Sequence, residues 1–173
     1  GQDVSDRDEW GLRAKLRGQV GDNLTVMLTY AHAERSPSCC GVPAVEIVPG
    51  GIADEAGVPT GRQNDKISNT ATSSNDVELD TTIFEANWEL GDYVLSSLTS
   101  YSDSTTDADV RLLFPHESAG LLDPNLAHSE VEVLTQELRI ASGTEEFLEW
   151  IGGLYYYDKQ DKFSLERNTD LFY

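Results

Sequence analysis

The chain has 173 residues, room for one domain with its own core, and carries a net charge of -19 from 31 acidic and 12 basic side chains. That balance argues against a nucleic-acid binder, because counterion release from a phosphate backbone needs clustered Lys and Arg. A 39% hydrophobic fraction and a mean hydropathy of -0.39 resemble an ordinary soluble protein, yet strands apolar on one face only would give the same averages.

No stretch approaches the roughly 18 consecutive apolar residues of a spanning helix, so a bilayer crossing here would use strands. The opening GQDVSDRDEW shows no initiator Met, basic n-region or apolar h-region, which reads as a mature or excised segment. Cys39 and Cys40 are adjacent and cannot staple distant parts of the fold to each other. A vicinal disulfide, a link to another part of the protein and free thiols all stay open.

Six segments alternate apolar and polar residues with period two, the pattern of half-buried strands. They fall at about 8–20, 24–35, 77–90, 93–104, 130–142 and 146–163. Three connections are short, GDN at 21–23, GD at 91–92 and GTE at 143–145, and suit tight hairpins. The other two, about 36–76 and 105–129, are long and irregular, and loops of that length usually carry function or disorder. An antiparallel meander then collects every short turn at one end and every long loop at the other, as outer-membrane barrels do.

Hairpin parity tests this order, because a one-residue slip would turn every side chain to the other face. The first turn pairs Val20 with Leu24, Leu16 with Leu28 and Ala14 with Tyr30. The second pairs Leu90 with Tyr93, Trp88 with Leu95 and Phe84 with Thr99. The third, taken as a turn at 143–145, pairs Leu138 with Trp150 and Leu134 with Leu154, with Arg139 opposite Glu149.

One face therefore collects Trp10, Leu12, Leu16, Leu28, Tyr30, Phe84, Trp88, Leu95, Leu134, Leu138, Ile140, Trp150, Leu154 and Tyr156, the expected lipid-facing set. Its aromatics gather towards the two ends, where amphipathic rings favour membrane interfaces. The other face carries Arg13, Lys15, Arg17, Glu85, Asn87, Glu89, Glu137, Arg139 and Glu149, the expected lumen-lining set. Val94 and Leu98 fall on the wet face and Ser97 and Gln136 on the greasy one, against the pattern. Six strands leave two open edges, which lipid does not tolerate, so a membrane reading needs further strands.

The phrase TQELRIASGTEEFLEWIGGLYYYD at 135–158 resembles a mid-barrel hairpin of TonB-dependent outer-membrane receptors, of the form T-Q-E-L-R-[LIV]-A-S, a short turn, then L-E-W-[VI]-x-G-L-[FY]-[YF]. ELGDYVLSSLTSYSDSTTDAD and RDEWGLRAKLRGQVGDNLTVMLTYAHAERSPSCCG are similar to the strands before it, including a double cysteine early in the following loop. The resemblance covers nearly the whole chain and weakens across 41–76 and 108–129.

It implies an all-β fold, part of a plugged 22-stranded barrel in the outer membrane of a Gram-negative bacterium. It also implies nutrient import, of an iron-siderophore complex, a vitamin or a glycan, driven by TonB. The implied partners are outer-membrane lipid, the remaining strands, a plug through which the TonB complex acts, and a small-molecule ligand. The sequence shows no plug and no energy-coupling box, so the expectation is part of a transporter, with residues 1–173 as a partial barrel domain.

No enzyme is expected, because no nucleophile elbow, P-loop, zincin motif or carboxylate pair is present; no cofactor or metal is expected either. His116 and His128 have acidic neighbours but no fixed metal-ligand spacing, and read as solvated loop residues. Phe114 and His116 are candidate ligand contacts on a long loop. Arg13, Lys15 and Arg17 either guide an anionic chelate or pair with acids of the lumen or plug. The rival class is a secreted β-sandwich or meander for adhesion or carbohydrate binding, which needs a second sheet over the greasy face.

Overall fold

A computed structural model describes residues 8–39, 43–67, 73–110, 125–143 and 148–167. Strand β1 (Glu9–Val20) turns through 21–23 into β2 (Leu24–Arg35), with Gly21 at φ 65°. That left-handed backbone region is where a glycine costs least. A two-residue strand β3 (Ser38–Cys39) and a one-turn helix α1 (Ile52–Glu55) follow. Then come β4 (Ser73–Leu90), the turn at Gly91 with φ 64°, β5 (Tyr93–Val110), β6 (Asn125–Ser142) and β7 (Ile151–Arg167).

The strands form one antiparallel sheet in the order β1-β2-β4-β5-β6-β7, with β3 beside β4. Every major neighbour is also a neighbour in sequence, apart from the short β3, so the architecture is the expected all-β meander. Among the described residues the sheet is a single layer. Val58 is their one buried hydrophobic side chain, while Leu16 is 71% exposed and Leu154 76%.

The first two hairpins have the expected register, with Leu16 opposite Leu28 and Trp88 opposite Leu95. The third does not. Leu138 pairs with Leu154 and Arg139 with Gly153, so the expected pairs Leu138 with Trp150, Leu134 with Leu154 and Arg139 with Glu149 are each displaced by four residues. Ser142 and Trp150 close this connection: the Ser142 amide donates to the Trp150 carbonyl at 3.0 Å, and the Trp150 amide donates to Ser142 Oγ at 2.9 Å. Glu149 lies in the connection, outside the ladder. An even displacement preserves sidedness, so the face assignments on β7 survive the wrong register.

Five strand bounds also move. β7 starts at Ile151 and not at about 146, so the expected tight turn at 143–145 is a longer connection, and the sheet continues to Ser73 on β4, Val110 on β5, Asn125 on β6 and Arg167 on β7, into stretches expected to be loop. In the first long connection, Asn64 Nδ2 donates to the carbonyls of Ala44 (3.1 Å) and Pro59 (2.8 Å), and Gly50 N donates to Asp54 Oδ2 at 2.8 Å. These bonds tie residues 43–67 into a small unit around the buried Val58.

Candidate functional site

The register turns sequence parity into two surfaces, named here for Leu138 and Arg139. On the Leu138 face, hydrogen-bonded neighbours line up as rows across the sheet. One row reads Val20, Leu24, Trp88, Leu95, Ile140, Gly152, and another reads Leu16, Leu28, Phe84, Thr99, Gln136, Tyr156. Towards the long connections the character changes abruptly: Leu12, His32, Asp80, Asp103, Glu132, Gln160, then Trp10, Glu34, Glu78, Thr105, Glu130, Lys162. An apolar band thus ends against an acidic zone.

The border of the band is close to level over most of the sheet: its last apolar residues on β2, β4, β5, β6 and β7 are Tyr30, Phe84, Tyr101, Leu134 and Tyr156, which lie in two adjacent rows. Only on β1 does it run further, to Trp10, in the row where β2, β4 and β6 carry glutamates.

Rings at the acidic border reach across it. Trp10 Nε1 donates to Glu34 Oε2 at 2.5 Å, the Tyr30 hydroxyl donates to Asp80, and the Trp10 ring lies 4.8 Å from that of His32. Each ring keeps its apolar body in the band and its polar tip in the acidic zone. Near the short turns Tyr93 and Trp150 lie ring to ring at 6.1 Å.

The polar residues within the band, Ser97, Thr99 and Gln136, satisfy one another. Gln136 Nε2 donates to Ser97 Oγ at 3.1 Å, and Thr99 Oγ1 donates to Gln136 Oε1 at 2.5 Å. Polar groups held away from water need such internal partners.

The Arg139 face carries Arg13, Lys15, Arg17, Glu85, Asn87, Glu89, Glu137 and Arg139, and is most polar towards the short turns. Arg139 Nε sits 2.6 Å from Glu137 Oε1, and Ser96 Oγ donates to Asn87 Oδ1 at 2.7 Å. Towards the long connections the inner strands put small or apolar residues on this face, among them Ala31, Ala33, Leu79, Val131 and Val133, while β1 and β7 keep Arg13, Lys159 and Asp161 there. On β5 and β6 the two faces exchange polarity along the strands.

Two groupings escape a linear reading because they join distant positions of one parity. His32, Glu78 and Asp80 place ligand atoms within 4.8 Å of one another. His32 Nδ1 is already 3.1 Å from Asp80 Oδ1, which also accepts from Tyr30, so local hydrogen bonds account for the cluster.

Farther from the band, His128 Nδ1 lies 2.6 Å from Asp107 Oδ1 and Nε2 lies 3.3 Å from Glu130 Oε1, while Lys162 Nζ donates to Glu130 Oε2 at 2.8 Å. The hydrogen bond to Asp107, then that to Glu130, holds the His128 pKa above the ordinary histidine value. Lys162 and His128 hold that of Glu130 low. His128 was expected in a loop but stands on β6.

Phe114, His116 and Cys40 lie outside the described residues. Cys39 is described only as the backbone partner of Ser73. Comparisons with protein-family models, curated proteins and solved structures give no match.

Proposed function

We propose that this chain supplies six strands to the wall of an outer-membrane β-barrel receptor of the TonB-dependent kind, in a Gram-negative bacterium. The observation carrying the reading is the exposed apolar band on the Leu138 face, with ring-bearing residues at its margins, a polar surface behind it and no second layer over it among the described residues. A sandwich core would instead need a second apolar layer, and the described residues form one sheet.

In this reading Trp10, Leu16, Phe84, Leu138 and Leu154 face lipid, while Arg13, Glu85, Asn87 and Arg139 line a wet lumen. The Arg139–Glu137 pair and the Asn87–Ser96 hydrogen bond order part of the lumen surface. The long connections meet the medium and contribute to ligand capture. Import is binding followed by gated passage, with no bond chemistry by this chain; TonB acts through a plug, and the nutrient is an iron-siderophore complex, a vitamin or a glycan.

The test is fractionation of source cells with an antibody to this segment, comparing unboiled and boiled samples on a denaturing gel. A heat-shifting outer-membrane band far heavier than 19.1 kDa is expected. A soluble band near that mass would end the reading and favour the secreted β-domain.

A further inference from the structure

Strand β1 is an open edge: it pairs with β2 and with no other described strand. On its Arg139 face, Arg13, Lys15 and Arg17 repeat at alternate positions, all exposed. Their direct neighbours on β2 are Ala31, Thr29 and Met27, none of which can carry a compensating charge. One strand farther, the same rows hold Thr81, Ile83 and Glu85. Glu85 thus stands two strand spacings from Arg17, about 10 Å across the sheet. Among the described residues none of the three bases has an ion-pair partner.

We infer that the open edge of β1 receives an extended segment, outside residues 1–173, that carries carboxylates at alternate positions facing Arg13, Lys15 and Arg17. The inference rests on the barrel reading, which requires every edge to be paired, since unpaired backbone N–H and C=O groups are not tolerated in lipid. Directly opposed side chains on one face of an antiparallel pair interact, opposite charges favourably and like charges unfavourably.

The two edges found among the described residues fail that rule. A second β1 would set the same bases against one another. On β7 the residues of the corresponding face are Ile151, Gly153, Tyr155, Tyr157, Lys159 and Asp161. Their first carboxylate, Asp161, is already bonded to Lys159 at 2.8 Å. No edge among the described residues supplies the complement, whose charge pattern is set by β1.

Lys15 supplies a direct assay, because a water-soluble carbodiimide joins an amine to a carboxylate in contact with it through an amide bond, with net loss of water. The full-length protein is treated in outer-membrane preparations from the source cells, and the Lys15 peptide is identified by mass spectrometry. The expected product links Lys15 to an Asp or Glu outside residues 1–173, flanked by further acids or polar residues at alternate positions. Lys15→Arg should lower its yield at least tenfold while keeping the charge.

A heat-shifting barrel whose Lys15 is unlinked, or linked only to acids within residues 1–173, would overturn the edge pairing and leave the barrel reading standing. A soluble chain with no such band would remove both.

Discussion

Arg139 lies opposite Gly153 across the β6–β7 ladder, and a Cβ built on Gly153 would meet the Leu138 carbonyl oxygen at 2.8 Å and Arg139 Cγ at 3.2 Å. The backbone oxygen cannot move aside without disturbing the ladder. Gly153→Ala is therefore expected to destabilise the β6–β7 pairing by roughly 1–3 kcal/mol, the usual cost of overpacking. At Gly152, on the other face, the nearest neighbour of such a Cβ is Trp150 Cζ3 at 4.0 Å, so Gly152→Ala should stay within about 0.5 kcal/mol of the parent. Denaturant midpoints of the two variants, measured side by side, check the contrast; equal midpoints would refute the close approach.

The face assignment makes a sharper demand on adjacent residues. Leu138 belongs to the apolar band, whereas Arg139 shares the other surface with Glu137. In the barrel reading Leu138→Arg is expected to impair membrane assembly far more than Arg139→Leu, because a basic residue near the bilayer midplane costs roughly 2–4 kcal/mol on the lipid side. The yields of heat-shifting protein measure this, and equal yields would contradict the assignment.

These residues also mark what was legible in the sequence. Period-two alternation and the glycine turns identified all six long strands and put Leu138 and Arg139 on opposite faces. Alternation cannot detect a register error of an even number of residues, so it admits Trp150 opposite Leu138 as readily as the actual partner Leu154. Strand ends were missed for a related reason. Beyond Tyr101 and Leu134 the Leu138 face turns acidic and the other face turns apolar or small, so the expected alternation reverses while the backbone ladder continues. The His128 cluster is hidden by the same reversal: Asp107 and His128 fall in the expected loop and Glu130 and Lys162 in expected strands, and they meet only when β5, β6 and β7 are laid side by side.

That cluster carries a pH dependence whose sign follows from its contacts. The His128 pKa is raised by Asp107 first and Glu130 second. Its contribution to stability is therefore complete below the unfolded histidine value, roughly 6.5, and is lost as pH rises through the higher folded value. Glu130, held low by Lys162 and His128, contributes above its unfolded value and loses that contribution as pH falls through the folded one. The cluster should be most cohesive between these limits. An NMR titration should place the His128 midpoint above that of an unstructured peptide, and Asp107→Asn should move it down; a parent midpoint at or below the peptide's would refute the contact.

The two ends of the sheet differ in the length of chain they carry, and this sets the last expectation. The turns at 21–23 and 91–92 and the Ser142–Trp150 closure lie at one end; residues 43–67 belong to a long connection at the other. In a background with Cys39→Ser and Cys40→Ser, Asp65→Cys and Asp92→Cys place single thiols on exposed residues at opposite ends. In the barrel reading an impermeant maleimide on intact cells should label position 65 and spare position 92, with both reacting once the outer membrane is opened. The reverse pattern would invert the orientation. Equal labelling before opening would mean that no bilayer separates the two ends, and the apolar band would then need a protein partner to cover it.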